Sequence, residues 1–191
     1  MDPKLNEIAG RIRALRDIFG YSTAEMAQAL DTTEEEYQAC ESGQRDFSFM
    51  FLYRCAEKFN VDLIEIMTGE NPHLTGYNVV RGGKGLLLRR EHGFDYFHLA
   101  ANFRNKIAEP FLVKAPYREE DQHKPIEMSS HAGQEFDYIL DGSIHFAYED
   151  HVEVLEAGDS VYYSSDRDHG ILATGGRDCT FLAIVMKADE N

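Results

Sequence analysis

Ser129-Ser130-His131-Ala132-Gly133-Gln134-Glu135-Phe136-Asp137-Tyr138-Ile139-Leu140-Asp141-Gly142 is the stretch on which the reading of this chain turns. His131 and Glu135 stand four positions apart, just ahead of an alternating Phe136, Tyr138, Leu140 run that ends in the turn pair Asp141-Gly142. Alternation of period two marks a strand with one buried face, and Asp-Gly marks its end. On two strands joined by a short loop, an imidazole and a carboxylate so spaced converge on one point inside a barrel. With Glu135 inward, strand parity sends Asp137 and Ile139 inward and Phe136, Tyr138 and Leu140 to the other face. With His131 inward, Ser129 and Glu127 follow it.

Outward from that stretch, the chain after Tyr77 keeps to period two or to short apolar runs, at 78–81, 86–90, 96–100, 111–115, 126–131, 136–140, 144–148, 151–155, 160–163, 170–173 and 181–186. Gly82-Gly83, Asp141-Gly142, Glu149-Asp150, Ala157-Gly158 and Gly175-Gly176 punctuate them. About ten short strands in so short a span predict a sandwich or a small barrel. Gly158-Asp159-Ser160-Val161-Tyr162-Tyr163 is a strand entered from a tight turn, and His169 follows the polar loop from Ser164 to Asp168.

Together these two stretches resemble the two motifs of the cupin superfamily, a double-stranded beta-helix barrel. In the first motif Glu135 follows His131 after three residues and Gly142 follows Glu135 after six; in the second, His169 stands at the family's spacing from Gly158. The resemblance spans 77–188 and implies that His131, Glu135 and His169 occupy metal-ligand positions. The first motif's leading histidine is Ser129 here and its opening glycine falls at His123, while the second motif's proline, glycine and asparagine fall at Ser164, Asp166 and Ala173.

Two imidazoles and one carboxylate suit a divalent metal, Zn, Fe, Mn or Ni, with open positions left for water or ligand. The same side chains equally suit a polar interior that binds an organic ligand without metal. On either reading Ser129, His131, Glu135, Asp137 and His169 form the expected effector pocket. Tyr96, His98, Arg104, Lys106 and Lys114 are the polar or basic residues of the barrel's first half available to an acidic effector. Tyr162, Tyr163 and the run 181–186 read as core or dimer-interface packing, and His73, His92, His123 and His151 as solvated.

The first part of the chain has the other period. Leu5, Ile8, Ile12, Leu15 and Phe19 recur at steps of three and four, predicting a helix over 4–19 that Gly20 ends. Ser22-Thr23-Ala24-Glu25 and Thr33-Glu34-Glu35-Glu36 each have the capping-box form. They open a short helix with Met26, Ala27 and Leu30 inward, and a second, to about Ser42, with Tyr37, Cys40 and Glu41 inward and Gly43 closing it. Further helices are expected at 48–59, burying Leu52, Cys55, Ala56 and Phe59, and at 61–67. Helix, short turn, helix over 22–42 is the geometry that offers its second helix to a major groove.

This pattern resembles the phage-repressor-like (XRE, or Cro/C1-type) helix-turn-helix domain over residues 5–69, through Met26-Ala27, Leu30, Glu41-Ser42-Gly43, Leu52, Ala56, Phe59, Val61 and Leu63. The resemblance implies DNA binding by the helix 33–42, with Thr23, Thr33, Glu34, Gln38 and Ser42 facing the groove. Arg45, just past that helix, and Arg11, Arg13 and Arg16 on the first helix are the expected phosphate contacts. The family's third helix usually begins with small polar residues, whereas three glutamates stand here. Carboxylates in a first turn favour the helix dipole by about 0.3–1 kcal/mol each, but on DNA they meet phosphates.

Charge runs against a loose hold on nucleic acid. The 191 residues carry a net charge of −15, and residues 1–69 have seven Lys or Arg against thirteen Asp or Glu, a net −6. Non-specific affinity depends on neutralised phosphates and is expected to be poor. Cys40, Cys55 and Cys179 lie far apart without CxxC spacing, which argues for buried thiols over a disulfide framework or a cysteine-zinc site. No apolar run approaches the roughly 18 residues of a membrane span, and the opening Met1-Asp2-Pro3-Lys4 lacks a signal-peptide pattern, so a cytoplasmic protein is expected.

The expected organisation is an all-α helix-turn-helix bundle (1–69), a linker (70–76) and an all-β cupin barrel (77–191). That order resembles bacterial one-component transcriptional regulators, which implies operator DNA and a small-molecule effector as partners, and a homodimer. The alternative is a metal-dependent cupin enzyme, of dioxygenase or isomerase type, whose helical domain does not bind DNA.

Overall fold

The computed structural model describes residues 3–70, 72–88 and 93–188. The strand expected at 86–90 is therefore seen only to Leu88; Arg89, Arg90, His92 and Asn71 lie outside the described residues. The chain divides into two compact units, Met1–Tyr77 with Asn102–Asn105, and Asn78–Ala101 with Lys106–Asn191. Among the described residues no helix is long and apolar enough to cross a membrane.

Among the described residues the first unit contains five helices, α1 (Pro3–Phe19), α2 (Thr23–Ala29), α3 (Glu34–Glu41), α4 (Phe49–Phe59) and α5 (Leu63–Thr68). Each of the last four starts at a side chain that accepts from a free first-turn N–H: Ser22 from Glu25, Thr33 from Glu36, Ser48 from Phe51 and Asp62 from Ile64. Such caps contribute about 0.5–2 kcal/mol each, and the first two are complete capping boxes. Because Asp62 is a cap, α5 starts two residues later than its apolar pattern suggests. Ile12, Met26, Tyr37, Leu52, Cys55 and Ile66 meet in the fully enclosed core. Phe19, expected inside, remains 48% exposed and closes the edge of the core by stacking on Tyr21 and Phe59.

Two arginines expected at phosphates are instead used within the bundle. Arg11 donates to the Ile66 and Met67 carbonyls at 2.7 and 2.8 Å, which the last turn of α5 leaves without helical donors. Arg16 grips Glu41 with two bonds of 2.6 and 3.1 Å and also donates to the Tyr21 carbonyl, while the Tyr37 hydroxyl donates to the same carboxylate at 3.0 Å. A carboxylate as enclosed as Glu41 requires a counter-charge, so α1 supplies one. Arg13 alone of the three stays exposed.

Among the described residues the second unit carries nine strands: β1 (Leu86–Leu88), β2 (Asp95–His98), β3 (Ala108–Ala115), β4 (Gln134–Asp141), β5 (Ser143–Tyr148), β6 (His151–Glu156), β7 (Ser160–Ser164), β8 (His169–Thr174) and β9 (Cys179–Met186). All pair antiparallel, in a six-stranded sheet of order β1-β2-β3-β9-β4-β7 and a three-stranded sheet β6-β5-β8. Alternation sends Glu109, Phe111, Val113 and Ala115 of β3, Glu135, Asp137 and Ile139 of β4, and Cys179, Phe181, Ala183 and Val185 of β9 to the buried side. Gly142 turns β4 into β5 at φ +84°, where a Cβ would stand 2.5 Å from the Asp178 carbonyl.

Two expected strands are not strands. Residues 78–81 find no ladder: Asn78 donates from its side chain to Leu99, and the Arg81 carbonyl is taken by Lys84 in a turn. Residues 126–131 run alongside β8 but pair with it at Ser129 alone. His131 N–H turns away to the Ser165 carbonyl, and Gly170 packs so closely on the Glu127 carbonyl that no Cβ would fit. The period-two parity therefore lapses, and Glu127, expected inward, is exposed.

Arg16→Ala is expected to lower the stability of the helical unit by about 1.5–3 kcal/mol, the range for hydrogen bonds to a charged group, in urea unfolding followed by circular dichroism. Arg13→Ala should change it by less than about 0.5 kcal/mol.

Candidate functional site

The buried side of β4 and the end of the 165–168 loop bring three donors together. His131, Glu135 and His169 are all buried, with ligand atoms within 4.8 Å of one another. His131 Nε2 lies 3.1 Å and His169 Nε2 4.0 Å from the same Glu135 oxygen, and the two imidazoles stand nearly edge to face. His169 Nδ1 lies 2.8 Å from the Arg167 carbonyl, which fixes that nitrogen as the donor and leaves Nε2 with its lone pair. Burial holds the His169 imidazole below its ordinary pKa and therefore neutral, the form in which it can bind a cation. Ser129 exchanges both backbone hydrogen bonds with His169, at 2.8 and 2.9 Å, so the two side chains leave from the same face. The donor set is compatible with a divalent metal: two imidazole nitrogens and one carboxylate oxygen, each anchored by a regular element or by a backbone bond.

On the helical unit, the residues expected to face DNA form a connected surface. Thr23 at the start of α2 donates to Glu34 Oε1 at 2.5 Å, and Gln38 donates to the same oxygen at 3.2 Å. Arg45 pairs with Glu36 at 2.9 Å, and Thr32 and Thr33 donate to that carboxylate as well. These bonds, Arg45 first, hold the Glu36 carboxyl down at about 2. Thr33, Glu34, Gln38, Ser42 and Arg45 are exposed, whereas Thr23 is partly covered. Arg45 thus reaches solvent already carrying an acidic partner.

With both geometries in view, comparison with known proteins is direct. A helix-turn-helix domain model matches residues 9–72, and a cupin domain model matches residues 120–185. The chain joins a helix-turn-helix domain to a cupin domain. An HTH_3 family transcriptional regulator from Vibrio cholerae has a similar structure, at 20% identity over 96% of this chain and 97% of that one, with a TM-score of 0.69. Hydroxypropylphosphonic acid epoxidase from S. wedmorenis is also similar, at 20% identity over 95% of this chain and 98% of that one, with a TM-score of 0.50. At these identities the likeness is one of fold. No curated protein matches the chain.

Inside the cupin domain the structure adds residues that the sequence reading assigned elsewhere. Tyr163, taken for packing, pairs with Glu135 across β4 and β7, lays its ring 4.9 Å from that of His169, and donates its hydroxyl to Asp137 at 3.4 Å. Burial, then Glu135 and Asp137, push its phenol far up, so it stays protonated. The Tyr96 hydroxyl is pushed up by the same causes in the same order. Burial and the neighbouring Glu135 also raise the Asp137 carboxyl. Tyr162, by contrast, points to the outer face and donates to Gln134. Parity from Glu135 through the β4–β7 pairing is the signal that would have found Tyr163.

His98 and Lys106, expected to be open to an acidic effector, are instead engaged with Glu109, a residue the sequence reading did not single out. His98 Nε2 lies 2.5 Å from Glu109 and its Nδ1 accepts from the Ala100 N–H, while Lys106 Nζ lies 3.7 Å from the same carboxylate. All three are buried, and a buried carboxylate needs such partners. Lys114 extends over the Phe97 ring and Arg104 is exposed.

Glu36 sets a pH dependence for the helix-turn-helix domain. Its folded pKa, about 2, lies below its ordinary value of 4.5, so its contribution is complete above pH 4.5 and is lost as pH falls towards 2. Thermal melts across that window should lose stability on acidification in the wild type, with a shallower slope in Glu36→Gln.

Proposed function

We propose that the protein is a DNA-binding transcriptional regulator whose cupin barrel binds a small-molecule effector, and that it works in the cytoplasm as a homodimer. The observation that carries this reading is the exposed, connected face of Thr23, Glu34 and Gln38 on a helix-turn-helix, in one chain with a barrel whose polar groups converge inside. Gln38 has the amide that reads adenine, and Glu34 can accept from cytosine N4; Thr33, Ser42 and Arg45 supply the remaining contacts. The acidic domain has little surplus charge for phosphates, so discrimination rests on base edges and on two half-sites addressed together.

The outer face of the six-stranded sheet supports pairing of two copies. Leu87, Phe97, Leu112, Leu182 and Tyr138 lie in one cross-strand row, and Leu87 and Tyr138 are each 38% exposed. An apolar stripe of this extent on a soluble chain fits a self-complementary contact. Ser129, His131, Glu135, Asp137 and His169 form the effector pocket of this reading, with His131, Glu135 and His169 holding a divalent ion, Zn, Fe, Mn or Ni. Such an ion would supply open coordination positions for an effector. Effector binding alters DNA affinity only so far as it favours one arrangement of the dimer over another.

The complete set of two imidazoles and a carboxylate favours one second reading, a metal-dependent cupin enzyme. The two readings part on DNA.

The purified protein should prefer its own upstream DNA to random DNA in a binding titration at low salt; equal affinity for both would sink the regulator reading. Gln38→Ala should cost about 1–3 kcal/mol on the preferred site. Glu35→Lys should tighten binding to both DNAs and steepen the salt dependence by about one ion. In calorimetry without DNA, the wild type should take up one equivalent of Mn2+ or Co2+, and His169→Ala should lose that uptake.

A further inference from the structure

Asp137 is fully enclosed, yet no N–H or hydroxyl reaches its Oδ1. Its other oxygen accepts from Tyr163, and Glu135, on the same buried face of β4, stands within hydrogen-bonding reach of the Asp137 carboxyl. The flanking positions in the sheet, Ala183 and Val161, offer no side-chain donor. Leaving a buried acceptor unmet is costly, and an apolar side chain of similar size would avoid that cost. Four kinds of partner can meet the oxygen: a proton shared with Glu135, an enclosed water, a cation, or a donor carried by a cation. Asp137 lies outside the group whose ligand atoms come within 4.8 Å of one another, so it is not placed as a direct ligand.

We propose that Asp137 is a positioning residue of the barrel's cation site, accepting a hydrogen bond from water held on a divalent ion at His131, Glu135 and His169. This inference rests on the metal reading of those three residues given above. It assigns the set a second carboxyl at a place where the sequence supplies no fourth histidine, Ser129 standing in that position. Groups that orient ligands from outside the coordination sphere commonly change metal affinity by 10- to 100-fold. Tyr163 has Glu135 as a second hydrogen-bond partner, so removing Asp137 does not strand its hydroxyl.

The test uses the full chain and Co2+ alone, followed by visible d–d absorption and by thermal unfolding. The wild type, Asp137→Leu, the near-isosteric Asp137→Asn and the outer-face control Tyr162→Phe are compared. The expected result is a cobalt Kd weakened about 10- to 100-fold and an altered d–d spectrum in both Asp137 variants. The metal-free unfolding transition should be no lower than wild type in at least one of them, and Tyr162→Phe should match wild type in cobalt binding. Unchanged cobalt Kd and spectrum in both Asp137 variants would overturn the proposal and leave a proton shared with Glu135 or an enclosed water as the partner. A metal-free transition lowered in both variants would likewise overturn it, because Asp137 would then be a structural residue. If the wild type itself takes up no cobalt, the metal reading of the triad fails, and this inference with it.

Discussion

Burying a carboxylate inside a β-barrel is the constraint around which the second domain is arranged. Glu109 and Glu135 face the interior from β3 and β4, each opposite Val185 of β9, so one row across the sheet carries two carboxyls separated by an apolar side chain. Each requires compensation. Glu109 obtains it from His98 and Lys106, which stand on either side of the β2–β3 connection and so tie that loop's stem to the sheet. Glu135 obtains it from two imidazoles contributed by segments before β4 and at the start of β8. The first arrangement is closed on itself, whereas in the second His169 Nε2 stands 4.0 Å from the carboxylate, its Nδ1 already engaged by the Arg167 carbonyl. That difference separates a closed ionic cluster from a donor set compatible with a metal within one interior.

The helix-turn-helix domain handles acid differently, because all of the carboxylates around its turn but the enclosed Glu41 reach solvent. Glu25 and Glu36 reach back to their own N-caps, Glu34 collects Thr23 and Gln38, and Glu41 holds α1 to α3 through Arg16. These contacts organise the turn between α2 and α3 and fix the placing of α3 against α1 and α2. The same contacts occupy Arg45 and Arg16, which would otherwise meet phosphates. Local stability and electrostatic attraction to phosphates are therefore opposed in this domain, because the cations that would serve the second already serve the first.

Periodicity and capping chemistry made much of both domains legible. All five helices and nine of the eleven expected strands are present, because a step of three and four or of two reports directly which face is buried. Failures came where parity depends on a neighbour. The 126–131 segment has the composition of a strand, but Gly170 beneath it and the turn of His131 towards Ser165 permit only one pair. Arg11 and Arg16 look like free cations in a helical pattern, and only the packing of α5 and α3 against α1 shows where their charges go.

What the sequence determined by itself was local: helix caps, strand alternation, and the spacing by which His131 and Glu135 converge, with His169 joined to them by the cupin resemblance. Which other groups join them was decided by tertiary structure. Tyr163 reaches the site because β7 pairs with β4 in a register that sets it opposite Glu135, and Glu109 leaves the site's reach because β9 lies between. Register across strands distant in the chain is a property of the assembled sheet and its packed interior, so no pattern within a single strand specifies it.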